Sequence, residues 1–254
     1  MIEMKEHQIK LVAFDFDGVV TETIKEWYLL GLKAFNHMGG DLKSSSQVEK
    51  NFRLARSFLM NAEDCYFVLK SIKEGSIDFN TITQEEFNRL AQPFFENEGK
   101  DFAKKVCTLR AELRENDREN WLNLFSVFPE MPTILKRVMD QHEVVIATTR
   151  DRASVSAILE KHEVSIEGRK IFGRESSIVK REQMKFITRE FGVPFNEMFF
   201  VDDILEHLKL VGALGVNVAI ASWGYSNERQ LAEACENGIP MLRTPSDILT
   251  RLGV

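Results

Sequence analysis

Cysteine is scarce in this chain. Cys65, Cys107 and Cys235 lie far apart among 254 residues, and no two of them form a Cys-x-x-Cys pair. That spacing disfavours both a disulfide framework and a structural zinc site, and leaves buried, reduced thiols as the expectation. Positive charge is also wanting. Lys and Arg number 33 against 39 Asp and Glu, for a formal charge of -6. No chain-wide positive field therefore draws nucleic acid or an anionic membrane, and neither is expected as a partner. Any anionic ligand must be met by local cations. Apolar runs stay well short of a membrane span, and the opening MIEMKEHQIK is too polar for a signal peptide. A soluble, cytoplasmic protein is expected. Internal repeats, low-complexity tracts and long flexible linkers are lacking as well.

What the chain does have is apolar content. Hydrophobic residues make up 44% of it, enough for one large domain or for a core domain carrying a smaller insertion. Short apolar runs at 9–14, 144–147, 198–201 and 216–221 read as buried strands of a parallel sheet. Between them lie segments of helical spacing, such as Met184, Ile187 and Phe191 followed by Gly192 and Pro194, a helix with its C-terminal stop. Strand alternating with helix implies a doubly wound α/β core. From about residue 24 to 125 the alternation breaks and amphipathic stretches replace strands. Trp27, Leu30, Ala34 and Met38 share one helical face, as do Phe87, Leu90, Ala91 and Phe94 after the capping-box pattern Thr83-x-x-Glu86. We read an α/β core of residues 1–22 and 126–254, interrupted by an all-helical domain at 23–125.

Chemistry concentrates in Phe14-Asp15-Phe16-Asp17-Gly18-Val19-Val20-Thr21, where two carboxylates follow an apolar strand directly. Ligands of open α/β folds bind at that edge of the sheet. The bland alternative is a solvated strand-to-turn junction with Asp15 as a helix cap. With DFDGVVTET the chain resembles the haloacid dehalogenase superfamily in its first motif, and the other three motifs have counterparts in the same order. An apolar strand ends in Ala147-Thr148-Thr149-Arg150, where Thr148 matches the second motif, the competing role being a cap for the helix near 151–159. Lys180 matches the third at the start of a helix, where a cation opposes the helix dipole unless both address an anion. Lys185 is the other candidate, though spacing to the fourth motif favours Lys180. That fourth motif is Met198-Phe199-Phe200-Val201-Asp202-Asp203, followed by Glu206. Many members of the superfamily carry Gly where Asp202 stands and an acid where His207 stands, so the division of Asp202, Asp203 and Glu206 between direct and indirect metal contact stays open.

The resemblance covers the chain outside the insertion, which corresponds to the family's C1 cap, and Ala221-Ser222-Trp223-Gly224-Tyr225 looks like the tail of phosphoglycolate phosphatase-like members. It implies a Mg2+-dependent phosphatase that hydrolyses a small phosphorylated metabolite through an aspartyl-phosphate intermediate. Asp15 is then the nucleophile and Asp17 the acid and base. Gly18, Thr148, Thr149 and Lys180 bind the phosphoryl group, and Asp15, Asp17 through its backbone carbonyl, Asp203 and Asp202 hold the metal. Arg150 is a candidate substrate contact, ahead of Arg53, Arg56, Arg110 and Arg114, which read as solvated helix faces. His37, His142 and His162 show no metal-ligand spacing. An acid at position 17 disfavours dehalogenase or phosphonatase chemistry. A hexose-phosphate mutase of the beta-phosphoglucomutase type is the nearest enzymatic alternative, but such enzymes carry a His where this chain has Trp27. A non-catalytic phospho-ligand-binding protein is the alternative from another class, and monomer or homodimer stays open.

Overall fold

The computed structural model of the chain describes residues 8–254, so most of the polar stretch weighed above against a signal peptide lies outside the described residues. Two compact units emerge, one formed by the chain up to Glu22 together with Ser126–Val254, the other by Thr23–Phe125.

The second unit is helical, with α1 at Ile24–His37, α2 at Ser46–Ala55, α3 at Asp64–Glu74, α4 at Gln84–Phe94, α5 at Lys100–Asn116 and α6 at Arg118–Leu122. The capping box opens α4 as its sequence requires: Thr83 Oγ1 accepts from the Glu86 backbone N–H at 3.2 Å, and the Glu86 carboxylate accepts from that of Thr83 at 3.1 Å. Trp27, Leu30 and Ala34 are buried along α1, and Phe87 and Ala91 along α4. Leu90, expected on the same face, is 40% exposed. The apolar stripe of α4 is thus narrower than the spacing suggested. Two of the arginines read as solvated are buried. Arg56 donates to the Leu59 carbonyl at 3.1 Å, and Arg110 pairs with Glu26 on α1 through Nε at 2.5 Å and Nη2 at 3.0 Å. Both found partners inside the helix packing, which a pattern of charges along one helix cannot reveal. Of the cysteines only Cys65 is buried, and burial pushes its thiol pKa up, which leaves it inert. Cys107 is half-buried and Cys235 exposed, contrary to the expectation for all three.

In the first unit β1 (Leu11–Phe14) leads to a two-stranded ribbon of β2 (Thr21–Glu22) and β3 (Ser126–Val127), the two places where the chain leaves for the helical insertion and returns from it. Then come α7 at Met131–Met139, β4 at Glu143–Ala147, α8 at Arg152–Lys161, β5 at Ile171–Phe172, α9 at Lys180–Phe191 and β6 at Met198–Asp202. The chain continues through α10 at Leu205–Gly212, β7 at Asn217–Ala221, α11 at Glu228–Glu236, β8 at Met241–Leu242 and α12 at Asp247–Leu252. One six-stranded sheet results, in the order β5-β4-β1-β6-β7-β8, with every neighbouring pair parallel. Every residue of β1 and β6 is buried, which is why those runs, apart from Asp202 at the end of β6, are apolar rather than alternating. Met184, Ile187, Leu205 and Leu208 pack from α9 and α10 against Ala13, Val145 and Phe200 of the sheet. Among the described residues no helix is long and apolar enough to cross a membrane.

Candidate active site

Strand ends deliver the candidate residues to one place. The chain runs outward from β1 through β4 and β5, then returns to the other side of β1 with β6. Such a reversal leaves a crevice at the carboxyl ends of the strands. Asp15 follows β1, Thr148 follows β4, and Asp202 ends β6 with Asp203 next to it; all are buried.

Lys180 opens α9 and joins two of these ends. Its Nζ donates to Asp15 Oδ1 at 2.5 Å and to the Ala147 carbonyl at 2.5 Å, and lies 3.6 Å from Asp202 Oδ2. Burial disfavours the ammonium charge, but Asp15 and Asp202 outweigh it and hold the pKa above the ordinary lysine value. Lys185 pairs instead with Glu182 at 2.9 Å. Burial also dominates at Asp15, pushing its carboxyl up to about 6, with Lys180 pulling down and Asp202 and Asp17 adding to the rise. At Asp202 burial pushes up but His207 and Lys180 prevail, and the carboxyl sits below its usual range.

The loop after β1 is tight. Val20 and Thr21 N–H groups both donate to the Phe16 carbonyl at 3.0 Å, and the Gly18 N–H to Thr21 at 2.8 Å. Gly18 has φ +91°, and a Cβ there would collide with the Asp203 carboxylate and the Tyr225 ring, so glycine is required by conformation and by space. Gly224 is confined by space alone, against Asp203 and the Gly18 carbonyl. The segment after β7 then grips Asp203: the Tyr225 N–H donates to Oδ2 at 2.7 Å and Ser226 Oγ to the backbone carbonyl, while Trp223 Nε1 donates to the Val19 carbonyl at 3.1 Å. That is the physical content of the Ala221–Tyr225 tail.

Thr148 is not the helix cap. Asp151 caps α8 by accepting from the Ser154 N–H at 2.9 Å, and Thr148 Oγ1 accepts from the Arg150 N–H at 3.1 Å. Thr149 is half-buried beside it. Arg150, read from sequence as a substrate contact, is buried and holds Asp17 through Nε at 2.8 Å and Nη2 at 3.1 Å. Glu206 pairs with Lys209 at 2.9 Å and stands apart from the acidic cluster.

One residue, Gln183, escaped the sequence reading, and so did the partner of His207. Gln183, buried one helical turn after Lys180, donates through Nε2 to the carbonyls of Thr148 at 2.7 Å, Ser177 at 2.7 Å and Phe172 at 3.1 Å. Its i, i+3 relation to Lys180 was the available signal. His207 Nδ1 meets Asp202 Oδ2 at 3.0 Å, while Oδ1 accepts from the Ile204 N–H at 2.9 Å. In sequence His207 stood out only as a departure from the acid many family members carry there; the fold of α10 against β6 brings it to Asp202.

Asp15, Asp202 and Asp203 each offer an oxygen, and these atoms lie within 4.8 Å of one another. With Asp17 alongside, buried carboxylates outnumber the buried cations Lys180 and Arg150. An all-oxygen donor set with excess negative charge fits a hard divalent cation such as magnesium. A family model described as a haloacid dehalogenase-like hydrolase matches residues 9–215. The chain belongs to this haloacid dehalogenase-like hydrolase family. No curated protein matches it. Solved structures of family type do, over nearly their whole length. A predicted phosphoglycolate phosphatase from Haemophilus somnus has 18% identity and a TM-score of 0.65, covering 96% of this chain and 97% of that one. A predicted phosphatase from Clostridium acetobutylicum has 12% identity and a TM-score of 0.62, with 96% and 98% covered. A haloacid dehalogenase-like family protein from Streptococcus pneumoniae has 13% identity and a TM-score of 0.60, again with 96% and 98% covered. At these identities the likeness shows the haloacid dehalogenase-like fold, with its parallel sheet and helical insertion, and not a substrate.

Proposed function

We propose that this protein is a magnesium-dependent phosphatase that hydrolyses the phosphomonoester of a small metabolite through an aspartyl-phosphate intermediate. The observation that carries the reading is Asp15 bound to Lys180 between the ends of β1 and β4, beside the buried acids at the end of β6. Asp15, Asp203 and the Asp17 backbone carbonyl would hold the magnesium, with Asp202 beside them, and the ion when bound would neutralise charge on the phosphoryl oxygens. Asp15 attacks phosphorus in line, and the bond from phosphorus to the leaving oxygen breaks as the new one forms. Lys180 and the Thr148 and Thr149 hydroxyls receive the phosphoryl oxygens, with Gly18 permitting the close approach of the backbone. Asp17 gives its proton to the leaving oxygen, then takes one from the water that attacks the aspartyl phosphate. Alcohol, inorganic phosphate and free Asp15 result, with Asp17 protonated as at the start.

Trp27 supports hydrolysis over mutase chemistry. Its indole is buried in α1, with the Arg110 guanidinium 4.9 Å from the ring centroid, so the position where a mutase carries histidine is taken by packing. A cytoplasmic setting suits a substrate that is a small phosphorylated metabolite. The test is release of phosphate from 4-nitrophenyl phosphate with magnesium and with excess chelator, followed by phosphorylated sugars, nucleotides and phosphoglycolate at equal concentration. Turnover with magnesium alone is the expected result; absence of turnover on every substrate would favour a non-catalytic phospho-ligand-binding role.

A further inference from the structure

We infer that Arg150 is the positioning residue of Asp17, fixing the orientation from which that carboxylate passes a proton between leaving oxygen and water. The inference rests on the phosphatase reading and gives Arg150 a task other than contact with the substrate. Its side chain is fully shielded, whereas that of Asp17 is 10% exposed. In the pair, then, it is the carboxylate that reaches open space. Nε and Nη2 donate to different oxygens of Asp17, at 2.8 and 3.1 Å. Two donors of one rigid plane on two oxygens set the tilt of the carboxylate as well as its place, which the point charge of a lysine cannot do. Arg150 is itself anchored at both ends of its backbone: its N–H donates to Thr148 Oγ1 at 3.1 Å, and its carbonyl accepts from the Arg174 N–H at 3.0 Å. The strand end that offers Thr148 to the phosphoryl group therefore also aims the acid at the leaving oxygen.

The experiment compares kcat on an aryl phosphate, whose leaving group needs little protonation, with kcat on an alkyl phosphate, whose leaving group needs much. Wild type, Arg150→Lys, Arg150→Met, Asp17→Asn and the double variant Asp17→Asn/Arg150→Lys are assayed with saturating magnesium. Taking the ratio within each preparation removes any dependence on the folded fraction, so a partly unfolded variant still reports. Both Arg150 variants should lose activity on both substrates, with the alkyl rate falling at least about tenfold further than the aryl rate, in the direction shown by Asp17→Asn. Adding Arg150→Lys to Asp17→Asn should leave that ratio unchanged, because the lever is already gone. Equal losses on the two substrates overturn the inference, as does a rise confined to KM that persists in the Asp17→Asn background, the mark of a substrate contact. No turnover by wild type on either substrate instead overturns the phosphatase reading, and the inference with it.

Discussion

Asp15 and Asp17 are two positions apart and both buried, yet the fold gives them different partners: Lys180 for the first, Arg150 for the second. Different partners imply different failures. Asp15→Asn removes the proposed nucleophile and a proposed metal ligand together, so neither turnover nor an acid-stable phosphoprotein trapped from labelled substrate should be found; turnover near wild type would rule out the covalent route. His207 supplies a second residue-level prediction. It holds one oxygen of Asp202 while the Ile204 N–H holds the other, and such outer partners are commonly worth about 10–100-fold in metal affinity. His207→Leu should weaken manganese binding, read by titration calorimetry, by roughly that factor. His207→Asn, whose amide can donate from nearly the place of Nδ1, should recover most of the loss. Equal affinities in the two variants would show that the Asp202 contact does not shape the metal site.

At the scale of elements, the buried Glu26–Arg110 pair ties α1 to α5, and Trp121 Nε1 of α6 approaches the same carboxylate at 3.4 Å. Removing one partner strands a buried charge, so Arg110→Ala should cost about 3–5 kcal/mol in the helical unit. Replacing both, as Glu26→Leu with Arg110→Met, should restore part of it, because no buried charge is then left unpaired, while the Trp121 N–H still loses its acceptor. Circular dichroism melts of the three proteins check this, and a double replacement as damaging as the single one would count against it. Helices of this kind were legible in sequence wherever a local signal existed, as with the Thr83–Glu86 box at α4 and the Gly192 stop after α9. What failed was partnership at long range. Arg110 looks like a surface cation because its partner is 84 positions away, and Arg150 looks like a substrate contact because Asp17 is 133 positions away. Periodicity reports which face of an element is apolar; it carries no information about which charge on another element will meet it.

For the whole molecule, apolar runs alternating with helical spacing anticipated the parallel α/β sheet, and the amphipathic stretches that interrupt them anticipated the helical insertion; a sheet whose switch point lies at β1 then gathers Asp15, Thr148 and Asp203 at its strand ends. The same convergence has an energetic consequence. Asp15, Asp202 and Asp203 crowd at the end of the α/β unit with Lys180 as the lysine among them, and the like charge that Lys180 leaves unbalanced at that spacing opposes folding. Magnesium should accordingly stabilise this unit whether or not a substrate is present. At 100 times its dissociation constant the linkage is about 2.7 kcal/mol, which in a unit of this size raises the thermal midpoint by about 5–10 °C. Asp203→Asn should reverse both sides of the balance. It relieves repulsion, so the variant without metal should melt at or above wild type without metal. It also removes a ligand, so added magnesium should shift it little. Differential scanning calorimetry of the two proteins, each with magnesium and with chelator, reads all four values without reference to catalysis. A magnesium shift of the same size in both proteins would mean that the acids at the end of β6 are not where the ion binds.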